Sequence, residues 1–148
     1  MDRVDKLILG RLQADAALSI GELADIIGIS KSACWRRVQK LEQTGVIDKK
    51  VTLLNAAAVD LPLTVFISIR TNQHNAKWSG QFKSVVQGNA GVMEVYRMGG
   101  EIDYRIKAVV KDMPGYDSLY QQLIAADLFD VTSNFVMEEI KYSTELPV

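Results

Sequence analysis

Ser19-Ile20-Gly21-Glu22-Leu23-Ala24-Asp25-Ile26-Ile27-Gly28-Ile29-Ser30-Lys31-Ser32-Ala33-Cys34-Trp35-Arg36-Arg37-Val38-Gln39-Lys40-Leu41 decides how the first third of this 148-residue chain reads. Ser19 and Glu22 stand three apart, the spacing at which each side chain satisfies the other's free backbone amide at a helix start. Ile20, Leu23, Ala24 and Ile27 then recur at i, i+3, i+4, i+7 and form one apolar stripe. Gly28 stops that helix, because glycine tolerates the left-handed conformation of a C-cap. Ser30 caps a further helix with an inner stripe of Cys34, Val38 and Leu41, and Gly45 ends it.

Two helices joined by only Gly28-Ile29-Ser30 must cross steeply, and the small Ala24 lets them approach. This is the helix-turn-helix arrangement, whose second helix lies in the major groove of DNA. The outward face of that helix carries Lys31, Ser32, Trp35, Arg36 and Lys40, with Gln39 at its margin; Ser30 and Arg37 complete the expected DNA-binding set. Arginines bond guanine edges or phosphates, and hydroxyls near a helix N-terminus suit phosphate contacts. The alternatives are a three-helix bundle with no DNA role and, for Trp35, packing against the first helix.

Upstream, Val4, Leu7, Ile8 and Leu12 recur at helical spacing behind Asp2 as N-cap. Downstream, the β-prone Val46–Leu54 reads as a small wing or as the first strand of a linker. Residues 55–62 form the hinge, ending at Pro62. The expected division is therefore 1–54, a linker at 55–62, and a second domain at 63–148.

In that second domain Leu63, Val65, Ile67 and Ile69 alternate with Thr64, Phe66, Ser68 and Arg70, the period of a strand. A helix with Trp78, Phe82 and Val85 on one side follows. Val92–Arg97 is a second strand, and a glycine turn leads to a third with Tyr104, Ile106, Ala108 and Val110 facing one way. Pro114 at N1 opens a helix marked by Tyr116, Leu119, Tyr120 and Leu123. Val131–Tyr142 supplies the last strand. The fold class is α+β: a (winged) helix-turn-helix followed by a ferredoxin-like βαββαβ domain. Both helices cover one sheet face. Phe66 and Val109, interleaved with Ser68, Arg105 and Lys107, leave the other face half apolar, which predicts a homodimer or a higher oligomer.

Net charge is −1, but between Lys31 and Lys50 six basic residues (Lys31, Arg36, Arg37, Lys40, Lys49, Lys50) face two acidic ones (Glu42, Asp48). Positive charge is concentrated where a DNA footprint would have to be; a solvated helix face is the bland alternative. No stretch suits a bilayer, and the first residues enter an amphipathic pattern without the apolar core of a secretion signal. With one cysteine, the expectation is a cytoplasmic protein without intrachain disulfides or membrane association. Cys34 lies on the apolar stripe and reads as a core thiol rather than a redox sensor, and His74 as a solvated loop residue. One His and one Cys are too few for an ordinary zinc site. Glu138 and Glu139 alternate along a strand and do not converge as an acid/base pair. No catalytic residues, metal site or cofactor is expected, and the chain does not read as an enzyme.

Taken in order, Asp2…Asp5…Ile8-Leu9, Glu22-Leu23-Ala24, Gly28-Ile29-Ser30, Arg37-Val38-Gln39-Lys40-Leu41-Glu42, Gly45-Val46-Ile47, the Gly100-Glu101-Ile102-Asp103-Tyr104 turn and the closing Glu145-Leu146-Pro147 resemble the Lrp/AsnC, or feast/famine, family of bacterial and archaeal regulators over essentially the whole chain. The resemblance implies a dimer-based assembly, often an octamer, that binds double-stranded promoter DNA and responds to a small-molecule effector, an amino acid. It implies that the effector lies between dimers beside the glycine turn. By position, that carries over to Met98, Gly99, Gly100, Asp103 and Tyr104, with Thr132, Ser133 and Asn134 as further partners. Amides freed by the adjacent glycines suit a carboxylate, and Asp103 suits an ammonium group; a plain hairpin turn braced by Asp103 is the alternative. Cys34-Trp35-Arg36-Arg37, Val131–Phe135 and Glu139–Tyr142 resemble a proteobacterial subgroup that includes regulators of cysteine detoxification, which points to cysteine as effector. An effector-independent DNA-packaging protein is the competing function.

Overall fold

The structure is a computed structural model that describes residues 1–73, 75–128 and 130–148. It divides into two compact units, Met1–Leu53 with Ile140–Val148, and Leu54–Glu139.

The first unit holds α1 (Arg3–Ala14), α2 (Ile20–Ile27) and α3 (Lys31–Gln43). Ser19 and Glu22 form the expected reciprocal cap on α2, and Asp2 and Asp5 form a second one on α1. Ile8, Leu9, Leu23, Ala24, Cys34, Val38 and Leu41 make the core, with Ile20, Ile27, Ile29 and Ile47 packed around it. Full burial of Leu23 or Ile8 contributes about 1.5–3 kcal/mol each. The stripe of α1 differs from the expected one: Leu9 is buried and Leu7 is 44% exposed. Leu7 and Leu9 lie roughly 200° apart around the helix, and packing against α2 and α3 selects the face that carries Ile8 and Leu9.

Gly28 adopts φ +79°, ψ +40°, and both its amide and that of Ile29 donate to the Ala24 carbonyl, at 2.9 and 3.1 Å. At the far end of α3, Val46 and Ile47 donate to the Leu41 carbonyl and bring Ile47 onto the core. Residues 46–54 form no strand, neither wing nor linker strand, because no strand runs beside them among the described residues. β-propensity alone does not hold an extended segment whose backbone groups lack partners. The hinge contains a single 3-10 turn, Ala57–Val59, held by Asn55 Oδ1, which accepts from the amides of Ala57 and Ala58.

The second unit runs β1 (Leu63–Arg70), α4 (Ala76–Gly88), β2 (Val92–Arg97), β3 (Tyr104–Val110), α5 (Met113–Ile124) and β4 (Asp130–Phe135). The sheet order is β2-β3-β1-β4 with every pair antiparallel. This is the split βαββαβ arrangement. Val65, Ile67, Ile69, Ile106, Ala108 and Val110 point under the helices and meet Trp78, Phe82, Val86, Leu119 and Leu123. On α4 it is Val86 rather than Val85 that is buried. Asp112 caps α5, so Pro114 is the second helical residue and not the first; either position suits a residue without an N–H. Gly91 is required by space: a Cβ there would lie 2.8 Å from the Val109 carbonyl oxygen.

β4 is shorter than the expected Val131–Tyr142. The Val136 amide makes the last ladder bond, to Thr64 O at 3.0 Å. β1 begins one residue before Thr64 and is preceded by Pro62, so nothing remains for residues 137–142 to pair with. Glu138 and Glu139 are therefore exposed and lie on no strand. The last nine residues group with the first unit rather than with the sheet. There Gln13 bonds the Leu146 backbone twice, accepting from its amide at 2.7 Å and donating to its carbonyl at 3.2 Å. Among the described residues no helix is long and apolar enough to cross a membrane.

No atom lies within 4 Å of a Cβ built on Gly28, so an alanine there meets only the left-handed backbone penalty. Gly28→Ala should lower the unfolding free energy of the first unit by about 1 kcal/mol. The check is the urea midpoint read from Trp35 fluorescence in a Trp78→Phe background.

Candidate nucleic-acid interface and ligand site

α3 owes its orientation to its apolar stripe: Cys34, Val38 and Leu41 are buried, which turns Lys31, Ser32, Trp35, Arg36 and Lys40 outward. Trp35 is 53% exposed and does not pack against α1 as a core residue would. Lys31, Arg36 and Lys40 form no ion pair among the described residues. Ser30 caps α3 by accepting from the Ala33 amide at 3.2 Å, and its Oγ lies 3.3 Å from that of Ser32. The Cys34 thiol is raised above its ordinary pKa by burial, consistent with a core position.

Arg37 departs from the expected set. Its Nη1 donates to Asp2 Oδ2 at 2.8 Å and to Asp5 Oδ1 at 2.6 Å, so it turns toward α1 instead of outward. The sequence placed it with the DNA contacts because neighbours in a basic run look alike; one helical step, roughly 100° of rotation, separates it from Arg36. The Asp5 amide first and the Arg37 guanidinium second hold Asp2 below the ordinary aspartate pKa. Asp5 is lowered chiefly by the Asp2 amide, with Arg37 adding to it against partial burial. Lys50 is also paired, with Glu42 at 3.5 Å.

In the second unit the expected effector residues fall into separate places. Met98, Gly99, Gly100 and Asp103 gather at the β2–β3 turn. There the Met98 amide donates to the Asp103 carbonyl at 2.8 Å, and Gly100 has φ +120°. Asp103 Oδ2 accepts from the amide of Thr71 at 2.8 Å, and the Asp103 amide donates to Ile69 O. Asp103 thus ties the turn to the end of β1. Tyr104 lies under α4, its ring 4.7 Å from Phe82 and 5.8 Å from Trp78. Ser133 faces the helices and accepts from the Tyr116 hydroxyl at 2.7 Å. Thr132 and Asn134, opposite Ser68 and Phe66 in the register, face the open side.

An open cleft of about 660 Å³ between α4 and β2 is lined by Phe82, Lys83, Val95, Arg97 and Tyr104 among others. A smaller one of about 240 Å³ adjoins it at Gln73, Asn75 and Trp78. Of the eight expected effector residues only Tyr104 lines either cleft. On the open face, Arg105 stacks over the Phe66 ring at 5.2 Å, and Lys107 pairs with Glu94 at 3.2 Å. No cluster of three metal-ligating side chains occurs among the described residues, and His74 lies outside them. Sequence reasoning missed Thr71 and the inward turn of Arg37. The Asp2-x-x-Asp5 spacing was a visible capping signal, but its partner is more than thirty residues away.

A helix-turn-helix with a basic outer face on α3, followed by a ferredoxin-like sheet, is the architecture of a two-domain DNA-binding regulator. Residues 1–48 match the winged helix-turn-helix DNA-binding model, and residues 64–146 match the Lrp/AsnC ligand binding domain. The chain belongs to the Lrp/AsnC family of transcriptional regulators. It is 39% identical to the DNA-binding transcriptional activator DecR of Escherichia coli, over 100% of this chain and 99% of that protein. Its fold matches an AsnC family transcriptional regulator from Agrobacterium tumefaciens with a TM-score of 0.93 and 47% identity, covering 99% and 97% of the two chains. A Neisseria meningitidis transcriptional regulator in complex with L-Met also matches at a TM-score of 0.93, with 30% identity over 99% and 96%.

Because the folded-state values of Asp2 and Asp5 lie below those of the unfolded chain, their contribution is present above about pH 3.9 and is lost as pH falls through the depressed values. Asp2→Asn with Asp5→Asn, which keeps capping-competent side chains, should therefore flatten the acid limb of stability below about pH 4. Melting temperature against pH checks this; parallel acid limbs in wild type and variant would contradict it.

Proposed function

We propose that this chain is a homodimeric transcription regulator that binds operator DNA through the outer face of α3 and is modulated by an amino acid held beside the β2–β3 turn. The observation that carries the DNA reading is the exposed, unpaired set Lys31, Arg36 and Lys40 on a helix fixed by its buried stripe. Ser30, Ser32 and Trp35 flank these cations at the same surface, where hydroxyls and an indole suit phosphate and sugar. The half-apolar open sheet face supports a second copy of this chain as its cover, and two copies present two reading helices to a pseudo-palindromic site. Assembly beyond the dimer would bring the scattered effector residues of different copies together, which supports an octamer of four dimers.

For the effector, the Gly99-Gly100 turn offers backbone amides to a carboxylate, and Asp103 keeps one oxygen, Oδ1, for an ammonium group while the other braces Thr71. The L-Met complex of the Neisseria relative supports an amino acid as the class of ligand, and the subgroup resemblance favours cysteine. A cytoplasmic location follows from this role.

Lys31→Ala with Lys40→Ala should reduce the slope of log affinity against log salt by about 3.6, since each lost phosphate contact removes about 0.9 and a dimer loses four. Unchanged slope in filter binding would overturn the assignment of this face. Calorimetry against cysteine, methionine, leucine and glutamate should detect binding of at least one, weakened by Asp103→Ala. Silence across the panel would favour the packaging alternative.

A further inference from the structure

We propose that Arg37 is a positioning residue: it locks the recognition helix to the N-terminal cap of α1 through Asp2 and Asp5, and it contacts no DNA. The proposal rests on the reading of α3 as the DNA-binding helix. Asp2 Oδ1 accepts from the Asp5 amide, and Asp5 Oδ2 accepts from the Asp2 amide, both at 2.9 Å. That capping box uses one oxygen of each carboxylate. The remaining two, Asp2 Oδ2 and Asp5 Oδ1, both converge on Arg37 Nη1. All four carboxylate oxygens are thus engaged in one network that joins the start of α1 to the middle of α3. The Asp5 side chain is 17% exposed, so water competes weakly for the stronger of the two contacts.

The core alone leaves a freedom that this network removes. Cys34, Val38 and Leu41 fix which face of α3 is buried, but apolar burial is non-directional and tolerates small rotations and slides. Hydrogen bonds between charged groups are directional. Arg37 lies at the edge of the buried stripe, directly before Val38, where a fixed contact sets the helix azimuth and therefore the aim of Arg36 and Lys40. The network also offsets one of the two carboxylate charges in the same unit as the DNA-facing helix, where both would otherwise repel phosphate.

Positioning and contact make opposite forecasts. If Arg37 touched phosphate, removing it would shed a counterion-releasing charge, while removing Asp2 and Asp5 would tighten binding by lifting repulsion. If Arg37 positions the helix, losing either side of the network misaims the same base contacts. The probes are a duplex selected by the wild-type protein from a random-sequence pool and an unselected duplex of equal length, each titrated with full-length protein over a salt series. Arg37→Ala, and separately Asp2→Asn with Asp5→Asn, should each weaken binding to the selected duplex by about tenfold, the worth of one well-placed base contact. Binding of Arg37→Ala to the unselected duplex should keep the wild-type salt slope. Arg36→Ala, as the contact control, should lose about 1.8 of slope, one contact from each copy of the dimer. Arg37→Lys, which keeps a cation for the two carboxylates, should recover part of the loss and guards against an unfolded alanine variant. A slope loss of about 1.8 in Arg37→Ala, together with tighter or unchanged binding in the double asparagine variant, overturns the positioning role alone. An Arg36→Ala variant indistinguishable from wild type on both duplexes overturns the α3 reading and the positioning role with it.

Discussion

The Ala24 carbonyl accepts from the amides of both Gly28 and Ile29, and it does so because Gly28 sits in the left-handed region. That small arrangement ends α2 and reverses the chain within three residues. It also delivers Ser30 to the start of α3 in the extended conformation an N-cap needs. With both ends of the connection fixed, the crossing of α2 and α3 has little latitude, and Leu23, Ala24, Cys34 and Val38 close the seam. That seam sets which face of α3 turns outward, and the pairing of Arg37 with Asp2 and Asp5 acts within the latitude the seam leaves.

The second unit depends on a different constraint, the length of its central strand. β1 pairs on both sides, with β3 and with β4, so its two ends set where the sheet stops. At one end Pro62 precedes the first paired residue. At the other, Thr71 receives the Asp103 carboxylate, which converts the edge of β1 into an anchor for the β2–β3 turn. The glycines of that turn are thereby held near a defined point of the sheet, while their own backbone remains exposed.

Local signals carried most of the fold into view. The stripes of α2 and α3, the Ser19–Glu22 cap, and the bounds of β1, β2 and β3 depend on neighbours a few residues apart, and periodicity reports such relations directly. The end of β4 did not show, because β-prone residues after Val136 need a partner strand that sequence cannot count. Leu9 was passed over for Leu7 because either fits a helical period and only contact with α2 and α3 chooses. The pairing of Arg37 was missed for the same reason: its acidic partners lie more than thirty residues upstream, and a run of basic residues does not announce which member is paired. The effector residues carried over from family resemblance were legible as a set of positions, yet Ser133 and Tyr104 face the helices while Thr132 and Asn134 face away.

The charge distribution follows from what each cation is for. Exposed ion pairs add little stability, typically well under 1 kcal/mol, so leaving Lys31, Arg36 and Lys40 without carboxylates costs the fold almost nothing. It leaves them hydrated and surrounded by counterions whose release can drive association with a polyanion. A cation already engaged by two carboxylates has less to gain from phosphate, because the existing bonds must first be broken. Arg36 and Arg37 are adjacent, identical in chemistry and separated by one helical step, yet of the two only Arg37 is engaged by carboxylates among the described residues. A protein with a net charge of −1 can present a cationic reading face on these terms, since what matters at the groove is which charges are uncommitted, not how many there are.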